Sequence, residues 1–354
     1  MVYFCMMGVT FFLSVFCGKK YREYCCPAVG KQMKLKPLLW PFISFLPIYL
    51  VYSCQYGLHS DYDTYRTYFN QILEGNRLIR DTGFYFLSAV LAKSGFPFQS
   101  IYFSIYLIAF LILAKCLQEG ADDWAVSLVL FSTVFFLLGF YYIRQLVAVC
   151  IALWSIRDIA ERKLRRFLCL TGVAALFHVS ALVMLPMYFL LSTDFRFSCY
   201  FFAAMVLGCV AVFQRQILLT MIRVFFPDYL NRYEVFRSVA MNPWDTLWVL
   251  ALALFLFWIW GAVHRAGGKD RIAANALAVY LLLYFGCRWL FELERFGYYV
   301  HIPVLLLAGN AERYTSKPKE GAFWKIALIT AALISFWGKF HAEPLFCYRA
   351  FFLP

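Results

Sequence analysis

The sequence predicts an all-α, polytopic integral membrane protein with about 10–11 transmembrane helices. Three observations predict it. Hydrophobic residues make up 63% of the 354-residue chain and charged ones only 15%, a balance that leaves too little polar surface to cover a water-soluble core. Apolar runs near the ~20 residues that cross a ~30 Å hydrocarbon layer recur along the chain. Lys and Arg gather in the short stretches between those runs.

Met1–Cys17 is apolar but has no basic lead-in and no small-residue cleavage site, so it reads as a retained helix rather than a signal peptide. Further runs follow at Leu38–Tyr56, Phe98–Ala114, Trp124–Tyr142, Thr246–Val263, Ile272–Cys287 and Phe323–Trp337. In lipid every backbone N–H and C=O needs an internal partner, which makes these runs helices. Trp40, Tyr49, Tyr52, Tyr141, Tyr142, Trp258 and Trp260 stand near their ends, where amphipathic rings favour the headgroup layer. The 12 cysteines are scattered, with one close pair, Cys25-Cys26, in a basic loop. They read as small hydrophobes, and neither a disulfide framework nor a zinc site is expected. One membrane domain is expected to cover residues 1–354.

The net charge of +13 is a matter of topology rather than of nucleic-acid binding. Lys19, Lys20, Arg22, Lys31, Lys34 and Lys36 mark one cytoplasmic loop. Arg157, Arg162, Lys163, Arg165 and Arg166 mark a second, Arg265, Lys269 and Arg271 a third, and Arg313, Lys317 and Lys319 a weaker fourth. Such loops also attract anionic membrane lipids. Threading the chain through them puts the N-terminus outside and exposes residues 57–97, 214–245 and 288–295 on the external face. The segment Lys115–Asp123 falls inside although Glu119, Asp122 and Asp123 outnumber its Lys. Parity fails if 167–191 is one crossing, and the simplest repair is a break at His178, with Leu164–Phe177 rising and Val179–Leu191 returning as a short hairpin or re-entrant pair buried in protein. A single tilted helix through 167–191 is the alternative.

Ionisable groups at membrane depth or at its edge are costly and mark candidate sites. The external stretch from His59 to Asn70 holds Asp61, Asp63, Tyr65 and Arg66, groups that suit sugar hydroxyls and sugar faces. The plainer alternative is an interfacial helix capped by one of the acids. Asp61-Tyr62-Asp63 has the spacing of a metal-binding DxD, but no Gly-rich nucleotide loop accompanies it, so no metal is assigned. Arg144 and Gln145 follow Tyr141-Tyr142 at an external helix edge, where an Arg against the inside bias suits a phosphate; a snorkelling Arg is the alternative. His178 is alone in an apolar run and serves either as base or donor, or as a core His satisfied by a carbonyl. Arg288, Glu292, Glu294 and Arg295 crowd one external turn before Tyr298, and Arg232, Tyr233 and Arg237 sit in another. Several arginines on the face opposite the basic loops point to an anionic ligand, for which a lipid phosphate or diphosphate is the obvious source.

Five strings then carry a resemblance. Ser60-Asp61-Tyr62-Asp63-Thr64-Tyr65, Asp81-Thr82-Gly83-Phe84, Ile143-Arg144-Gln145-Leu146-Val147-Ala148, the run from Leu176-Phe177-His178-Val179-Ser180 to Pro186, and Arg295-Phe296-Gly297-Tyr298-Tyr299 occur in that order. Together they resemble the EpsG family, a branch of the Wzy-like exopolysaccharide, capsule and O-antigen repeat-unit polymerases. Asp81 stands where that family usually has Glu, and the loop at 223–240 matches no string of it. The resemblance implies a multi-spanning, GT-C-like glycosyltransferase of the bacterial cytoplasmic membrane. Its substrate would be an oligosaccharide repeat unit on undecaprenyl diphosphate, joined to another at the outer face, with no cofactor. A chain-length regulator and a flippase are the implied protein partners. Arg144 and Arg295 would hold the diphosphate, and His178, Asp61 or Asp63 would orient or deprotonate the attacking hydroxyl. Tyr65, Gln145, Arg80, Asp81, Arg232, Tyr233, Arg288, Glu294 and Tyr298 would line the substrate path.

Two rival activities and one inert reading compete. A flippase for the same lipid-linked sugar predicts repeated halves, and the Asp61, Arg144 and His178 strings do not recur. An acyltransferase needs a nucleophile beside a base, and Ser180 is two residues from His178, a spacing that does not face on a helix. A structural subunit leaves the external arginines without a purpose.

Overall fold

The computed structural model describes residues 2–25, 39–58, 60–76, 81–194, 196, 198–200, 202–203, 205–206, 220, 224, 243–287, 291–342 and 348–352. Among them the chain is built from helices: α1 (Val2–Cys25), α2 (Leu39–Ser53), α3 (Ser60–Leu73), α4 (Thr82–Lys93), α5 (Ser100–Gly120), α6 (Trp124–Val134), α7 (Phe136–Tyr141), α8 (Ile143–Ala160), α9 (Leu164–Phe177), α10 (Met184–Ser192), α11 (Pro243–Ala266), α12 (Gly268–Cys287), α13 (Phe291–His301), α14 (Val304–Gly309) and α15 (Pro318–Ala342). No strand is present among these residues; Gln55 and Ala350 form an isolated bridge.

Among the described residues, four helices are long and apolar enough to cross a membrane: Val2–Lys20, Ser100–Gly120, Pro243–Ala266 and Pro318–Lys339. Leu39–Ser53, Trp124–Val134 and Val179–Ser192 are apolar but shorter. The chain is therefore a membrane protein, and one of the runs expected as a single crossing is made of jointed pieces. The run Trp124–Tyr142 divides at Phe135 into α6 and α7. Pro303 follows α13 and starts α14, since its ring removes the N–H that an unbroken helix needs. Pro243 opens α11 with φ already helical, and Gly267 closes it in the left-handed region at φ 69°.

Helices α5 and α8 form the centre. Helix α8 is buried on all its sides, from Ile143 and Gln145 to Ile159, as a helix surrounded by partners must be. It packs on α5 and α9, while α5 also packs on α2, α2 on α1, α11 on α15 and α12 on α13. Helix α1 turns the stripe Tyr3, Met6, Met7, Thr10, Ser14 and Cys17 inward, at helical spacing.

One end of the bundle collects the basic stretches around Arg157, Lys269 and Arg313, and Lys31, Lys34 and Lys36 lie outside the described residues. The acids of Lys115–Asp123 belong to the same end and are matched there. Arg313 grips Asp122 with two guanidinium nitrogens, and Lys325 reaches Asp123 at 3.0 Å and Glu312 at 2.8 Å. Lys269 Nζ donates to the Glu119 carbonyl at 2.5 Å. Asn310 fastens the turn by donating to the Gly120 carbonyl at 2.7 Å and accepting the Asp122 N–H at 2.8 Å.

The break expected at His178 is present. Helix α9 stops at Phe177, His178 is extended at φ −155° and ψ 119°, and a 3-10 turn over Val179–Val183 leads into α10. The two legs return on each other: Phe167 meets Tyr188 with ring centroids 4.9 Å apart, and Arg162 Nη2 donates to the Ser192 carbonyl at 3.0 Å. The hairpin carries His178 at its apex, on the bundle end opposite the basic loops.

The stretch 57–97, expected as an external loop, holds two helices among its described residues. Helix α3 buries Tyr62, Tyr65, Phe69 and Ile72 on one face, and α4 packs between α3, α5 and α9. Chain near the C-terminus closes the approach to α3: the Tyr56 N–H donates to the Arg349 carbonyl and the Phe351 N–H to the Cys54 carbonyl, both at 2.9 Å.

Candidate active site

Arg144 is the second residue of α8, where the helix terminus already carries positive partial charge. A cation at that end is disfavoured unless an anion is near, and Asp81 supplies one. The Asp81 carboxylate pairs with Arg144 Nη1. Asp81 precedes α4 at the cap position but makes no side-chain bond to that helix's own N–H groups. Its oxygens serve Arg144 and the backbone N–H of Val179 instead. Burial pushes the Asp81 carboxyl above its usual range, and Arg144 and the Val179 N–H pull the other way.

Gly83 makes this join close. A Cβ there would lie 3.0 Å from Leu176 Cβ and 3.1 Å from the Leu176 carbonyl oxygen, so the start of α4 rests directly on the last turn before His178. The Asp81–Phe84 string and the Leu176–Ser180 string are thus two sides of one contact.

Tyr65 completes the seat of Arg144. Its hydroxyl accepts from Arg144 Nε at 3.2 Å, and the guanidinium carbon lies 5.4 Å from the Tyr65 ring centroid and 5.8 Å from that of Phe84. Tyr65 is buried, so the ring expected along a sugar path works as a support for Arg144. Asp61 lies one helical turn before Tyr65, is half-buried, and acts electrostatically on both Tyr65 and Arg144. Asp63 is exposed on the other side of α3 and is separated from this group.

Arg295, on α13, comes to the same place. Its guanidinium carbon is 4.9 Å from the centre of the Tyr142 ring, and Tyr142 and Tyr298 stand 6.3 Å apart. Gln145, fully buried, donates to the Arg295 carbonyl at 2.6 Å and is bonded to Tyr299. Tyr299 meets Ser180 Oγ at 2.8 Å, and Ser180 Oγ lies 2.5 Å from His178 Nδ1. Both arginines act electrostatically on His178.

The structure therefore brings together Asp61, Tyr65, Asp81, Arg144, Gln145, His178, Arg295 and Tyr298. Arg80, Arg232, Tyr233, Arg237 and Arg288 lie outside the described residues, and Glu294 contributes a place on α13 without a described side chain. Ser180 and Tyr299 were not singled out as site residues, although both stand in the strings that carry the resemblance. The reason is the backbone: His178 leaves the helix, so the helical rule that keeps residues i and i+2 apart does not hold there. His301 also escaped notice. It is fully buried, accepts the Trp248 indole N–H at 3.2 Å and stacks on Tyr280 at 3.9 Å, which makes it the satisfied core histidine.

The site can place two fixed guanidiniums, an imidazole and a half-buried carboxylate around one anionic group. No curated protein and no solved structure matches the chain. The model of the EpsG family matches residues 38–351, a span that holds every string and every site residue above. The chain belongs to the EpsG family, a Wzy-like polymerase family.

Proposed function

We propose that the protein joins oligosaccharide repeat units carried on undecaprenyl diphosphate into exopolysaccharide, capsule or O-antigen. On this reading it works at the outer face of the bacterial cytoplasmic membrane, as a GT-C-like enzyme with about ten to eleven crossings. The observation that carries it is the convergence of Arg144 and Arg295, from helices α8 and α13, beside His178 on the end opposite the basic loops. Polysaccharide polymerisation is the family's work, and an anion-holding site on the outer side is what a lipid-diphosphate donor needs.

The chemistry follows from charge. A hydroxyl of one repeat unit attacks the anomeric carbon of the other, and the carbon–oxygen bond to the diphosphate breaks with its electrons going to phosphate. Guanidiniums already fixed in place stabilise that growing charge without reorganising. Arg144 is held by Asp81 and Tyr65 and so is aimed before a donor arrives, and the Arg295 guanidinium lies against the Tyr142 ring. The hydroxyl proton passes to a group at the site, where Asp61 and His178 both stand. Arg80, Arg232, Tyr233, Arg288, Glu294 and Tyr298 remain assigned to the sugar path, with a flippase and a chain-length regulator as partners.

The test is the length distribution of surface polysaccharide in cells whose only copy carries Arg144→Ala, with membrane abundance checked in parallel. Loss of long chains while single repeat units still reach the outer face is expected. Normal chains at normal abundance would remove Arg144 from the site, and repeat units trapped on the inner face would move the reading to a flippase. The contact between Ser180 and His178 favours a second reading, acyl transfer through Ser180. That reading requires Ser180→Ala to abolish acylation while chain length is kept.

A further inference from the structure

His178 has two ring nitrogens, and the fold commits one of them. The backbone is extended at His178 and turns sharply after it, which swings the N–H of Ser180 back toward Nδ1 at 3.4 Å. A backbone N–H only donates, so Nδ1 is an acceptor. The Ser180 hydroxyl, 2.5 Å from the same nitrogen, must then give its proton to that nitrogen too. With its hydrogen spent, Ser180 Oγ accepts from the Tyr299 hydroxyl at 2.8 Å. Tyr299 is fully buried and bonded to Gln145, whose amide nitrogen donates to the Arg295 carbonyl at 2.6 Å. Each link fixes the direction of the next.

The groups that face the imidazole agree with this. Arg144 and Arg295 both act electrostatically on it, and the Asp81 carboxylate is occupied by Arg144 and the Val179 N–H. A third positive charge near two guanidiniums is unfavourable. An imidazole that is neutral and accepts at Nδ1 carries its proton on Nε2.

We propose that Tyr299 and Ser180 are positioning residues that hold His178 as an Nε2–H donor, so that it grips an oxygen of the sugar-phosphate and takes no proton. In the transfer, for which this rests on the polymerase reading, the attacking hydroxyl's proton goes to Asp61. The imidazole begins and ends the step with the same proton. The carboxylate becomes a carboxylic acid and is later discharged to water.

Two measurements on the full-length protein test this separately. Nitrogen NMR of protein carrying isotopically labelled histidine in lipid nanodiscs at neutral pH, with His178 assigned through His178→Gln, reads the tautomer directly. The Nε2–H form is expected in the wild type, and its share should fall in Ser180→Ala and Tyr299→Phe, where the backbone N–H of residue 180 is left to favour it with less help. In cells, His178→Gln puts an amide donor where Nε2 was and should keep polymer output within about tenfold of wild type, the loss of one weaker hydrogen bond. His178→Ala should lower it about 10²–10³-fold, as the loss of a preorganised donor does. An Nδ1–H tautomer in the wild type overturns the proposal. So does His178→Gln as inactive as His178→Ala at normal abundance, since a base, worth about 10²–10⁴-fold, is not replaced by an amide. The expected tautomer with polymer untouched by His178→Ala would keep the positioning but overturn the grip on the sugar-phosphate, whereas polymer untouched by loss of the whole protein would overturn the polymerase reading instead.

Discussion

Gly83→Ala tests how the two motif strings are joined. The added methyl would lie 3.0 Å from Leu176 Cβ and 3.1 and 3.2 Å from the Leu176 carbonyl oxygen and carbon, against the roughly 3.5–4.0 Å of comfortable carbon contacts. Two of those atoms are backbone in the last turn of α9, so α4 must retreat by roughly half an ångström. Overpacking of this kind costs about 1–3 kcal/mol, and alanine offsets about 0.5–1 kcal/mol of that as a better helix former. A net loss of about 1 kcal/mol follows, seen as a fall of a few degrees in Tm. The effect on activity is larger, because Asp81 moves with α4 and carries Arg144. A misplacement of 1 Å costs about 10²-fold, so half that distance should cost about tenfold. The assay pairs polymer length and yield in cells with thermal unfolding of the purified protein. Gly172→Ala on α9 is the control: nothing lies within 4 Å of its added methyl, so polymer should be unchanged and stability equal or about 0.5–1 kcal/mol higher. Wild-type polymer and Tm in Gly83→Ala, or an equal loss in Gly172→Ala, would refute the reasoning.

Three further outcomes are expected. Arg144→Lys keeps the charge but gives up the planar fork that reaches Asp81 and Tyr65 together; losing one charge-assisted bond, about 1.5–3 kcal/mol, should lower polymer yield roughly 10–100-fold at normal abundance, and a normal yield would count against the fork. Asp81 titrates above the usual carboxylate range, so acidifying the medium protonates it and frees Arg144. Polymer output should then fall as pH drops, while Tm does not fall on this group's account, because the folded state binds that proton more tightly than the unfolded chain; an unchanged acid limb in Asp81→Asn would exclude this carboxyl as its source. Gly139→Ala places a methyl 2.0 Å from Tyr52 Cε2, on a ring held by the Phe136 carbonyl and the Phe140 ring, and should cost about 3 kcal/mol or more, read as loss of the protein from membranes.

Much of this was legible before any coordinates. The apolar runs and basic loops gave the class of protein, because lipid and charge impose rules on composition alone. The parity of those loops even located the break at His178. Pairings could not be read that way. Arg144 and Asp81 are 63 residues apart and Ser180 and Tyr299 are 119 apart, and no periodicity links residues on separate helices. Asp122 and Asp123 looked misplaced because their cations, Arg313 and Lys325, come from far along the chain, while Glu119 pairs with Lys115 one helical turn before it and with Arg157. Asp63 seemed equivalent to Asp61 until the helical turn of α3 put them on different faces.

The hairpin legs also say something about the lipid around them. Helix α9 has 14 residues, which rise about 21 Å, against about 30 Å of hydrocarbon. With its basic end at one boundary, its apex stops roughly 9 Å short of the other. Leu168, Leu176, Leu182, Leu185 and Phe189 are exposed along the hairpin, so its outer flank is wetted by acyl chains. The bilayer must thin there to meet the apex. On the polymerase reading proposed above, a polyprenyl tail then stays among its neighbours while its headgroup sinks toward His178, and membranes made from shorter acyl chains should favour turnover.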